Sequence, residues 1–117
     1  MVASLAAITV VALSISVSLC RMRVGVRIGF GDDAILMRRI RAQGNFIEYV
    51  PLALILLAIA EYRSVSAALL WTVAALLILG RRLHVAGILT GRTPIRAPGM
   101  VCTYSALLLG AAALLLG

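Results

Sequence analysis

Four long apolar runs constrain this chain more than any other feature: Met1 to Cys20, Ala42 to Ala60 with Glu48 as its one charge, Ser64 to Gly80, and Ala97 to Gly117. Each is close to the roughly 20 residues, at about 1.5 Å per residue, that a helix needs to cross a hydrocarbon core of about 30 Å. Four transmembrane helices in an up-down bundle are therefore predicted. Composition supports the reading, since 63% of the 117 residues are hydrophobic and 13% charged, against roughly 45–50% and 25% in soluble domains. A globule this small buries too little of its surface to hide that many apolar side chains from water, and a chain this apolar is not disordered. One domain over residues 1–117 accounts for the whole sequence, with no linker, low-complexity tract or internal repeat.

The charges are almost all arginine, and the net charge is +7. In a soluble protein that balance would suggest nucleic acid, but here the arginines sit between the apolar runs, which excludes that partner. Arg21, Arg23, Arg27, Arg38, Arg39 and Arg41 occupy the first connection and its flanks. Arg81, Arg82, Arg92 and Arg96 follow the third run, whereas the second connection holds only Arg63. Basic residues resist translocation, so the first and third connections are expected in the cytoplasm and both termini outside. Cys20 and Cys102 then lie near the reducing side and are expected as thiols that pack as small apolar residues. A cleaved signal peptide is not expected: no basic residue precedes the first run, and Leu19 is bulky before Cys20.

The connections carry local signals. Gly25, Gly29 and Gly31 precede Asp32 and Asp33, and read as a flexible loop followed by an aspartate that caps the second helix rather than as a phosphate-binding loop. Residues Glu61 to Ser66 leave room only for a tight helical hairpin. Gly91, Pro94, Pro98 and Gly99 are expected to end the third helix and restart the fourth, with Pro98 close to its first turn. Small residues at Ala3, Ala7, Ser14 and Ser18 in the first helix, and from Ala106 through Gly110 to Ala113 in the fourth, are expected to let helices approach closely.

Charged and amide side chains inside a membrane are costly, and each marks either a functional site or polar glue between helices. The second helix concentrates them: Arg38, Arg41, Asn45 and Glu48 recur at three, four and three residues, which aligns them on one stripe, with Tyr49 beside it. The stripe offers a guanidinium fork, an amide and a carboxylate, a set able to grip a zwitterionic peptide-like molecule. The alternative is that these groups pair with one another or across helices.

The segment Arg41-Ala42-Gln43-Gly44-Asn45-Phe46-Ile47-Glu48-Tyr49-Val50-Pro51 resembles the signature of the MAPEG superfamily, the membrane-associated proteins of eicosanoid and glutathione metabolism. Gly80 to Gly87 and Arg96 to Met100 are similar to its small bacterial branch, so the resemblance covers essentially the whole chain. It implies a homotrimer of four-helix subunits in the bacterial inner membrane, with glutathione as co-substrate in clefts between subunits near the cytoplasmic surface. Arg41, Asn45, Glu48 and Tyr49 would contact glutathione, Gln43 would reach a ligand in the adjacent cleft, and Arg23 or Arg27 would add an arginine from the end of the first helix. Arg96 would be the catalytic thiol activator, and the acceptor would be a hydrophobic electrophile from the bilayer. A nearby guanidinium lowers a thiol pKa from about 8.5 toward neutrality and so raises the fraction of nucleophilic thiolate.

The sequence departs from the family where catalytic members carry two aromatic hydroxyls one turn apart near the end of the third helix: it has His84 and Ile88. His84 is a candidate replacement contact or proton shuttle, set against a structural hydrogen-bonding role. That departure favours a second reading, a non-catalytic membrane scaffold of the same fold that binds a lipid or a partner protein. A small multidrug exporter is a poorer fit, because the first helix lacks the buried carboxylate such an exchanger needs. One histidine without a neighbouring carboxylate pair offers no metal site.

Overall fold

A computed structural model describes residues 2–29 and 31–116. It contains four helices, α1 (Val2–Val24), α2 (Ala34–Tyr62), α3 (Ala67–Thr90) and α4 (Thr93–Leu116), each long and apolar enough to cross a membrane. The helices run beyond the apolar runs of the sequence. The arginine-bearing flanks therefore belong to the helices, and α2 carries Arg38, Arg39 and Arg41 within its first turns.

The helix ends follow from local chemistry. Asp33 caps α2 by accepting a 2.7 Å hydrogen bond from the backbone N–H of Leu36, as expected. Ser66 caps α3 in the same way through Leu69 N–H. At the other end of α3, Gly91 adopts φ +73°, while the Arg92 and Gly91 N–H groups bond back to the Gly87 and Ile88 carbonyls. This left-handed glycine stop satisfies two carbonyls the helix leaves over. The connection to α4 is consequently only Gly91 and Arg92. The expectation for Pro98 is corrected: α4 starts at Thr93, so Pro94 takes the first turn and Pro98 lies inside the helix. Arg63 donates at 2.9 Å to the carbonyl of Leu114, placing a cation at the C-terminal end of α4 where the helix dipole favours it.

The packing is uneven. α3 and α4 form the most intimate pair, α2 touches all three other helices, and α1 packs chiefly on α2. The main core joins Leu13, Phe46, Val50, Ala53, Val73, Leu77 and Ala106, and a smaller cluster gathers Val17, Cys20 and Leu36 where α1 meets α2. Three glycines explain the close approach of α3 to α4. A methyl at Gly80 would lie 2.8 Å from the Gly99 carbonyl oxygen, one at Gly99 2.5 Å from His84 N, and one at Gly87 2.6 Å from Arg96 Cα. Only hydrogen fits at these positions, so the backbones touch directly. The small residues expected to do this in α1 do not: Ala3, Ala7 and Ser18 face outward, and of that set only Ser14 meets another helix, through Gln43. Cys20 is buried and Cys102 half-buried, both as free thiols.

Candidate functional site

A cleft of about 690 Å³ opens between α2 and the α3–α4 hairpin, at the arginine-rich end of the molecule. Its size falls within the roughly 300–1,000 Å³ typical of small-molecule sites. The helical stripe of α2 supplies one wall, with Arg38, Arg41, Asn45, Glu48 and Tyr49. α3 contributes His84 and Ile88, and α4 contributes Arg96, Met100 and Tyr104. Arg41, Glu48 and Arg96 are exposed, while Asn45 and Tyr49 are half-buried. No ion pair forms within 4.0 Å among the described residues, so the stripe is not locked onto itself.

Behind Asn45 lies a buried guanidinium. Arg81, on α3, is 6% exposed. It donates from Nη1 to Asn45 Oδ1 at 2.6 Å, from Nε to Thr103 Oγ1 at 3.2 Å and from Nη2 to Met100 Sδ at 3.5 Å. Thr103 in turn donates to the Gly99 carbonyl at 2.9 Å. One side chain thus ties α2, α3 and α4 together through neutral acceptors. Beside it His84 is 3% exposed, and its Nδ1 has no hydrogen-bond partner. Arg81 also lines an apolar groove of about 370 Å³ between α1 and α3, and it reaches the polar cleft only through its bond to Asn45.

Of the residues singled out in the sequence, Arg41, Asn45, Glu48, Tyr49, His84 and Arg96 come together around this single cleft. Three do not. Gln43 turns to the other face of α2, where its Nε2 donates to Ser14 Oγ at 2.7 Å. Arg23 and Arg27 are exposed near the end of α1 and in the following loop, away from the cleft. Two further contributors emerge from the fold. Arg81 reads in sequence as one more basic residue flanking an apolar run, although its spacing of three from His84 places both on one face of α3. Tyr104 turns into the cleft and packs edge-on against Tyr49, with ring centroids 5.7 Å apart and planes at 69°. A phenol from α4 therefore stands in the space where α3 presents His84 and Ile88. Among the described residues no three His, Cys, Asp or Glu side chains converge as metal ligands would.

The model of the MAPEG family matches residues 1–116. Two curated relatives, both called "Inner membrane protein YecN", from Escherichia coli strain K12 and from Escherichia coli O6:H1, are each 30% identical over 99 residues. Those residues are 83% of this chain and 76% of the relative. No solved structure matches.

Proposed function

The chain belongs to the MAPEG family, and on that premise we propose that it is a glutathione-dependent transferase or peroxidase of the bacterial inner membrane, acting on hydrophobic electrophiles. The observation that carries the reading is the cleft in which Arg41 and Glu48, without an ion-pair partner among the described residues, share the wall with Asn45 and face Arg96. Glutathione has two carboxylates, one ammonium, two amides and a thiol. Arg38 and Arg41 complement its carboxylates, Glu48 complements the ammonium, and the Asn45 amide complements the peptide portion. Charge-assisted hydrogen bonds of this kind are roughly twice as strong as neutral ones and fix orientation.

Arg96 supports the chemistry. It lies in the first turn of α4, exposed and on the cleft wall. A guanidinium there favours thiolate over thiol, and a two-unit fall in thiol pKa corresponds to about 2.7 kcal/mol of preferential stabilisation. In conjugation the thiol proton passes to solvent, the thiolate sulfur forms a bond to the electrophilic carbon, and the leaving group departs with its bonding electrons. Tyr104 supplies a phenol O–H from α4 on the same cleft.

The cleft serves a homotrimer in this proposal, with clefts closed by neighbouring subunits, Gln43, Arg23 and Arg27 turned toward the adjacent one, and both termini on the outer side. Calorimetry with glutathione, followed by conjugation of a chlorinated aromatic, tests the function. Wild type binds and turns over, and Arg96→Ala binds but loses turnover. Absence of binding at millimolar glutathione would remove the enzyme reading. It would leave the alternative of a non-catalytic scaffold that binds a lipid or partner, which the replacement of the α3 aromatic hydroxyls by His84 and Ile88 favours.

A further inference from the structure

We infer that Arg81 is a positioning residue that holds the Asn45 amide in one orientation, oxygen inward and NH₂ toward the cleft, so that the site reads a hydrogen-bond acceptor on its ligand at that point. The inference rests on the glutathione reading for the identity of the ligand, though not for the orientation itself.

A guanidinium can only donate, and an asparagine side chain has one accepting atom, its oxygen. The contact between Arg81 Nη1 and Asn45 at 2.6 Å therefore requires the amide oxygen to face Arg81. Rotating the amide by 180° would oppose N–H to N–H and leave a buried donor of Arg81 unsatisfied. Arg81 itself cannot follow such a rotation, because Nε is held by Thr103 Oγ1 at 3.2 Å and Thr103 is fixed to Gly99 O at 2.9 Å. With its oxygen occupied, Asn45 keeps two N–H donors. No protein partner takes them among the described hydrogen bonds, and Asn45 lines the cleft.

Around the cleft, Arg38, Arg41, Arg96 and the Asn45 NH₂ donate, whereas Glu48 is the charged acceptor on the same wall. A carbonyl or carboxylate oxygen of the ligand meets Asn45, and an ammonium nitrogen does not. Because Arg81 is buried among neutral partners, it adds a positive potential behind the amide that favours an anionic acceptor there.

The chain has one asparagine, Asn45, and one glutamine, Gln43, which lies on the opposite face of α2 and is bonded to Ser14. In protein labelled with ¹⁵N at Asn and Gln side chains, each therefore gives a single NH₂ pair. In ligand-free protein, Arg81→Lys and Arg81→Met are expected to move the Asn45 pair and leave the Gln43 pair in place. An unmoved Asn45 pair, or one that moves only together with Gln43, overturns the inference. Asn45→Asp keeps an acceptor for Arg81 but loses both donors, and is expected to weaken glutathione binding about tenfold to a hundredfold. Unchanged affinity in Asn45→Asp also overturns it. Should the wild-type protein bind no glutathione, the proposed function fails, while the ligand-free spectra still decide the role of Arg81.

Discussion

Gly87→Ala tests whether the α3–α4 contact positions Arg96. The added methyl would lie 2.6 Å from Arg96 Cα and 2.7 Å from Arg96 Cβ. Carbon atoms settle at about 3.5–4.0 Å, so the first turn of α4 has to move away from α3 by roughly 1 Å. The obstruction is backbone on one side and helix on the other, and neither can rotate away as the tip of a side chain would. Overpacking of this kind costs about 1–3 kcal/mol. If Arg96 activates the thiol as proposed, a displacement of that size also costs on the order of a hundredfold in rate. Gly44 provides the control: it is helical in α2 and a methyl there meets nothing within 4 Å. Gly44→Ala should be neutral or stabilising by about 0.5–1 kcal/mol. The assay is reversible unfolding in mixed micelles, with conjugation rate at saturating glutathione as the second readout. If Gly87→Ala unfolds at the same denaturant concentration as wild type, the glycine contact does not hold α4 in place and the reasoning fails.

Three other outcomes are expected. Asp33→Ala removes the acceptor for Leu36 N–H at 2.7 Å and should cost about 0.5–2 kcal/mol in the same unfolding assay, with Asp33→Asn recovering most of it. Gln43→Leu breaks the contact that ties α1 to α2 through Ser14 and should destabilise the protein by about 0.6 kcal/mol, and by no more than about 1.7 kcal/mol, the average and the maximum for hydrogen bonds between membrane helices. Tyr104→Phe keeps the edge-on contact with Tyr49 and should leave stability within about 0.5 kcal/mol of wild type, whereas Tyr104→Ala loses an aromatic pair worth about 0.5–1.5 kcal/mol beyond its buried area.

Much of this architecture was legible in the sequence because it rests on short-range rules. Apolar run length gave four helices, Asp33 and Gly91 marked a start and a stop, and a spacing of three and four placed Arg41, Asn45 and Glu48 on one wall. What escaped depends on partners distant in the chain. Arg81 is buried by Asn45 and Thr103, which are 36 and 22 residues away, and in sequence it stands beside Arg82 as an ordinary flanking charge. Gly80, Gly87 and Gly99 carry a usable signal, since two of them recur after seven residues and so share a helix face. The small residues of α1 drew attention instead, because spacing alone does not say which helix will lie opposite. Pro98 misled for a related reason. Pro94 was equally able to open α4, and the choice was made by Gly91, whose left-handed backbone ends α3 so abruptly that only Gly91 and Arg92 separate the two helices.

The division between a rigid and an adaptable wall follows from the same contacts. α3 and α4 meet backbone to backbone through three glycines, so Arg81, His84 and Arg96 are carried on one unit whose internal distances cannot change without separating the helices. α2 joins that unit differently. Away from the charges it is packed through Phe46, Val50 and Ala53 in the apolar core, and Leu56 meets the position of Gly110. At the polar level it is tied through the hydrogen bond from Arg81 to Asn45 and the edge-on contact of Tyr49 with Tyr104. Beyond Asn45 toward the arginine-rich end, Arg41 is exposed and unpaired, while the Arg38 guanidinium reaches the α3–α4 turn at Gly91. The position of Arg96 is therefore set by glycine packing, and the width of the cleft by the contacts that Asn45, Tyr49 and Arg38 make with the α3–α4 unit. Substitutions at Gly87 should act on turnover, whereas substitutions at Arg81 should act first on ligand affinity. Finding the opposite pattern would mean that the cleft is shaped by contacts outside this chain.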